Sequence, residues 1–97
     1  MNLTELNNII AQGEGERIEF KQNFNTDAIT TINGFTNTHG GVLLIGVNNR
    51  GEAIGVQIDT ETIQNWINEI RNKTEPSIIP DIKEVKVGNK TIILIRV

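Results

Sequence analysis

Val42-Leu43-Leu44-Ile45-Gly46-Val47 decides the fold. The run is continuously apolar and too short for a helix, so it reads as a central strand buried on both faces. On its N-terminal side, Asn37-Thr38-His39-Gly40-Gly41 ends a helix, since paired glycines permit positive φ. That helix begins at a cap chosen from Asn25, Thr26 and Asp27, and its inner stripe is Ile29, Ile32, Phe35 and Thr36. Arg17 to Lys21 alternates as a strand, with Ile18 and Phe20 on one side and Glu19 and Lys21 on the other. Before it, Leu3, Leu6, Ile9 and Ile10 repeat at helical spacing over 3–11, and Gly13 and Gly15 break the helix.

On the C-terminal side, Asn48-Asn49-Arg50-Gly51 reads as a turn and Ala53 to Val56 as a short returning strand, which makes a hairpin. Asp59 or Thr60 caps a helix whose stripe is Ile63, Trp66, Ile67 and Ile70. Pro76 and Pro80 bracket a loop. Ile82 to Val87 and Thr91 to Val97 are strands joined by Gly88-Asn89-Lys90. The expected order is α-β-α-β-β-α-β-β, an α+β fold with a mixed sheet and three helices. The 97 residues suit one domain spanning 1–97. The chain ends on the apolar strand Ile92 to Val97, which suggests a module that continues past Val97.

Composition narrows the function classes. The 37% hydrophobic and 22% charged residues are those of a globular chain. No apolar run of about 18 residues exists, and the N-terminus has no basic start or apolar stretch, so neither a membrane span nor a signal peptide is expected. The absence of cysteine excludes disulfides, thiol nucleophiles and cysteine-ligated metals, and a cytoplasmic location fits. The net charge of −3 is unfavourable for nonspecific nucleic-acid binding. It is unevenly spread: residues 1–70 set three cations against nine acids, whereas 71–97 hold six cations and three acids. Such a bipolar surface could meet nucleic acid on one face, pair with a second copy, or be a solvated scatter of charge.

Several residues could carry chemistry. Glu14, Glu16 and Glu19 surround Lys21, and two converging carboxylates could hold Mg²⁺ or Mn²⁺ for phosphodiester cleavage. The plainer reading is a solvent-facing strand with a weak ion pair. The glycines of Asn37 to Gly41 could form an anion-binding turn, or serve tight helix–strand packing, which is favoured. They form no P-loop, because no Gly-Lys-Ser/Thr follows. His39, the only histidine, lacks any nucleophile-elbow pattern and reads as a surface loop residue. Trp66 sits in the apolar stripe of its helix, which favours core packing over base stacking.

The order Glu14-Gly15-Glu16-Arg17-Ile18-Glu19-Phe20-Lys21, Ile32-Asn33-Gly34-Phe35-Thr36-Asn37-Thr38-His39-Gly40-Gly41, Val42 to Gly51 and Ile54-Gly55-Val56 resembles the Schlafen-type AlbA-like domain. The resemblance covers most of the chain. It implies a nucleic-acid-binding module of bacterial regulators, often fused to winged-helix or helicase-like regions. Schlafen-family ribonucleases use an acidic triad that binds divalent metal. The resemblance puts two of those acids at Glu14 and Glu19 and the third at Asn49, which is neutral and a weaker ligand; neither Glu52 nor Asp59 sits at the matching position. It also marks Phe20, Gly40, Gly41, Gly46 and Gly55 as structural, and Lys21, Asn37 and Arg50 as polar contacts.

The expected function is therefore a DNA- or RNA-binding domain of a bacterial transcriptional regulator. Its phosphate contacts would be Lys21, Arg50, Lys83, Lys86 and Lys90, with Asn37 beside them and no cofactor required. One alternative is an endoribonuclease using Glu14 and Glu19 with Mg²⁺ or Mn²⁺. Another is an interaction domain that forms a homodimer through a sheet edge or the bipolar surface.

Overall fold

The computed structural model describes residues 2–97. Its elements are α1 (Leu3–Gln12), β1 (Ile18–Lys21), α2 (Thr26–Thr36), β2 (Val42–Ile45), α3 (Thr62–Lys73), β3 (Asp81–Val87) and β4 (Lys90–Arg96). They form one four-stranded mixed sheet in the order β1-β2-β4-β3. β1 runs parallel to β2, with Ile18 opposite Val42 and Lys21 opposite Ile45. β4 runs antiparallel to both β2 and β3.

β2 lies between β1 and β4, and Leu43, Leu44 and Ile45 are completely buried. Their alternation splits the core into two layers. Leu43 and Ile45 join Ile93 and Ile95 under α2 and α3, against Ile29, Ile32, Phe35 and Ile70. Leu44 joins Ile92, Leu94 and Phe20 under α1, against Leu6 and Val47. Trp66 stacks on Phe24 at 4.7 Å within the first layer, so its ring serves packing.

The helices begin where short polar side chains supply acceptors. Asn2 accepts from the Glu5 N–H, and Asn25 accepts from the Ala28 N–H. Before α3, Asp59 Oδ1 accepts from the N–H groups of Glu61 and Thr62, while Thr62 Oγ1 accepts from the Asp59 N–H. That reciprocal pair works as a capping box placed two residues ahead of the N-cap, Glu61.

The expected hairpin strand at 53–56 does not form. Only Val47 and Ala53 bridge. Asn48 closes the preceding loop on itself, its Oδ1 accepting from the N–H groups of Arg50 and Glu52. The chain then turns at Gly55, with φ 84°, and the Val56 N–H donates to the Thr91 carbonyl. Residues 54–58 thus cross the start of β4 and carry Val56 and Ile58 into the α2/α3 layer. The Ile54 and Gly55 N–H groups still donate to the Gly46 carbonyl, and only from Val56 does the segment bond to β4, a partner that local alternation does not encode.

Truncating the central strand tests this layering. Leu44→Ala, at a fully buried position, should destabilise the domain by about 2–5 kcal/mol in urea denaturation. Ile79→Ala, at a position 77% exposed, should shift the midpoint by little.

Candidate nucleic-acid interface

β1 is an edge strand whose outward-facing main chain is partly occupied. The carbonyls of Arg17 and Lys21 accept from Val42 and Gly46, so Ile18 and Phe20 direct theirs away from the sheet. The loop after α1 covers part of this edge. Gly15 N–H donates to the Ile18 carbonyl at 2.9 Å, and Phe20 N–H donates to Glu14 Oε1 at 2.9 Å.

That contact carries Glu14 to Glu19. The two carboxyls are close enough for Glu14 to favour the protonated form of Glu19. Partial burial raises the Glu19 pKa first, followed by the hydrogen bond to Glu14 and repulsion from its charge, while nearby Lys21 opposes them. Glu14, Glu19 and Lys21 therefore form one cluster. Glu19 also faces an open groove of about 760 Å³ beside α2, which Arg17, Asn37 and His39 line as well. No group of three acidic or histidine side chains suited to a metal occurs among the described residues. Asn49 is exposed in the loop after β2.

The expected phosphate contacts are scattered. Arg50 is held by Glu52 at 3.1 Å. Lys86 is 2.7 Å from Thr91 Oγ1 and 3.6 Å from Glu84. Lys86 and Lys90 line one groove of about 870 Å³, but Asp59 and Glu84 line it too. Lys83 pairs with Asp81 at 3.6 Å and, by strand alternation, faces the opposite side of the sheet from Lys86. Lys83, Lys86 and Lys90 do not form a single patch.

A different set converges. Arg17, His39 and Arg96 line a groove of about 330 Å³ with Gly40 and Gly41, and no carboxylate side chain lines it. Neither arginine has a carboxylate within 4.0 Å among the described residues. Pairing puts Arg17 just ahead of Ile18 and Arg96 opposite Val42, so the two arginines reach this end of the sheet from opposite faces, and Asp81 stands across from Arg96 on β3. The glycines between them are packing positions. A Cβ on Gly41 would lie 2.6 Å from the Phe35 ring, and the Gly40 N–H donates to the Phe35 carbonyl. Arg17 and Arg96 stand at strand ends far apart in sequence, so only the strand order could have revealed them.

The model of the Schlafen, AlbA_2 family matches residues 14–97. The chain belongs to that family. No curated protein matches it. A solved structure, the N-terminal domain of a RecG-related protein from Nitrosomonas europaea provisionally assigned as an ATP-dependent DNA helicase, is similar in fold. It aligns with a TM-score of 0.73 and 22% identity, over 100% of this chain and 72% of that one. The AlbA_2 domain has no helix long and apolar enough to cross a membrane among its described residues.

The carboxyl pair predicts a pH response. The folded domain retains a proton on Glu19 over a range in which the unfolded chain, near the ordinary value of 4.5, has lost it. Stability from this group should therefore fall as pH rises through that range. Thermal melts across pH 4–8 should show a flatter profile for Glu19→Gln, with greater stability than the parent above the range (roughly one carboxyl's worth of slope removed).

Proposed function

We propose that this AlbA_2 domain is a nucleic-acid-binding module that meets the phosphate backbone at the Arg17–His39–Arg96 groove. The observation that carries the reading is local: the domain is acidic overall, yet this groove gathers two unpaired arginines and no carboxylate side chain. Guanidinium forks suit phosphate oxygens, and phosphate contacts do not require net basic charge if the cations are gathered. Asn37 and Lys21 extend the polar surface along α2 and β1. A role in a regulator of bacterial transcription is part of this proposal and follows from the family resemblance alone.

The convergence of Glu14 and Glu19 favours one second reading, metal-dependent cleavage of RNA. Two carboxylates suit a Mg²⁺ or Mn²⁺ ion that keeps several waters and takes substrate phosphate as a further ligand. Asn49, at the third position the family resemblance indicates, adds no charge.

Fluorescence anisotropy with labelled duplex DNA, single-stranded DNA and hairpin RNA at two salt concentrations separates these readings. Salt-sensitive binding is expected. Arg17→Ala and Arg96→Ala should each weaken it and lower the salt slope by about 1. Lys73→Ala, which removes a cation already paired with Glu69, should have little effect. Absence of binding at low salt would overturn the proposal. If hairpin RNA in the same samples is cut with Mn²⁺ and left intact by Glu19→Gln, the second reading prevails.

A further inference from the structure

The two sheet edges are treated differently. β1 is partly covered by Glu14 and Gly15, whereas β3 has no such cover. Thr91 directs its carbonyl to Val56, away from β3, so its cross-strand mate Lys86 directs its main chain away from β4. Glu84 and Ile82 share that orientation, two and four residues away. No main-chain hydrogen bond reaches these three from outside the sheet among the described residues. β3 thus presents a row of free donors and acceptors over a seven-residue strand.

We propose that β3 pairs antiparallel with β3 of a second copy, about a two-fold axis at Val85. The occupant follows from charge and register. A two-fold axis normal to the sheet keeps each face on its own side, so one residue must lie opposite itself. Centring on Lys83, Glu84 or Lys86 sets like charges against each other, which destabilises a cross-strand pair, and centring on Ile82 pairs Asp81 with Lys83 but overlaps only the first part of the strand. Centring on Val85 sets Val85 opposite Val85, Glu84 opposite the partner's Lys86, and Lys86 opposite the partner's Glu84. Within each copy these two side chains already lie 3.6 Å apart, so pairing closes an alternating ring of four charges on one face. Lys83 then stands opposite Val87, which is neutral. Glu84 and Lys86 also supply the outward main-chain groups, so the bonded pairs and the charge pairs coincide. The two sheets become one of eight strands, and the interface is isologous, with each patch meeting itself. This inference does not depend on nucleic-acid binding.

Size-exclusion chromatography with light scattering, over a range of loading concentrations, tests it on the 10.8 kDa chain. The parent should run as a two-chain species. Glu84→Lys and Lys86→Glu should each weaken dimerisation roughly tenfold or more, because each sets like charges opposite at two symmetry-related places. The double variant Glu84→Lys with Lys86→Glu restores opposite charges and should recover the dimer. Lys83→Glu should leave it intact, and circular dichroism confirms that each variant is folded. A parent that stays monomeric, single variants that still dimerise, or a double variant that fails to recover would each overturn the proposal.

Discussion

The hydrogen-bonded position of β2, parallel to β1 on one side and antiparallel to β4 on the other, is the constraint on which the rest depends. Its complete burial on both faces requires helices above and below, and the sequence supplies α1 for one face and α2 with α3 for the other. The opposite directions of its neighbours have a second effect. They bring the start of β1 and the end of β4 to the same end of the sheet, so Arg17 and Arg96 line one groove although most of the chain separates them.

Charge in this domain acts through placement. Several cations that look available in the sequence are engaged with neighbouring acids: Arg50 with Glu52, Lys73 with Glu69, and Lys86 with Glu84. Exposed pairs of this kind contribute little to stability, but they reduce the field each cation offers to a ligand. Arg17 and Arg96 make no such ion pair among the described residues, although Asp81 stands across from Arg96 and Glu16 lies beside Arg17. Glu14 illustrates the same economy on the acidic side. Its carboxylate caps the edge of β1 and meets Glu19, so one side chain both terminates the sheet and sets the local proton balance.

The layers were legible because side-chain alternation and helical periodicity are local signals. Val42 to Ile45 as a doubly buried strand, the stripe through Ile29, Ile32 and Phe35, and the break at Gly40-Gly41 all follow from neighbouring residues. The Schlafen AlbA-like resemblance was legible for the same reason, as ordered motifs at fixed spacing, and the family match agrees with it. Segment 53–56 keeps the local contacts of a hairpin at Ala53 to Gly55 but forms no strand, because Gly55 redirects the chain and Val56 bonds Thr91, which is distant in sequence. The scatter of Lys83, Lys86 and Lys90 and the meeting of Arg17 with Arg96 depend on strand order and face, which no local window contains.

The most direct test is amide chemical-shift mapping of the isotopically labelled domain during titration with short duplex DNA and hairpin RNA. The account predicts that the largest changes gather at Arg17, His39, Gly40, Gly41 and Arg96, with smaller ones along Lys21 and Asn37. Changes centred instead on Lys86 and Lys90, in the groove on the far side of the hairpin turn, would contradict it.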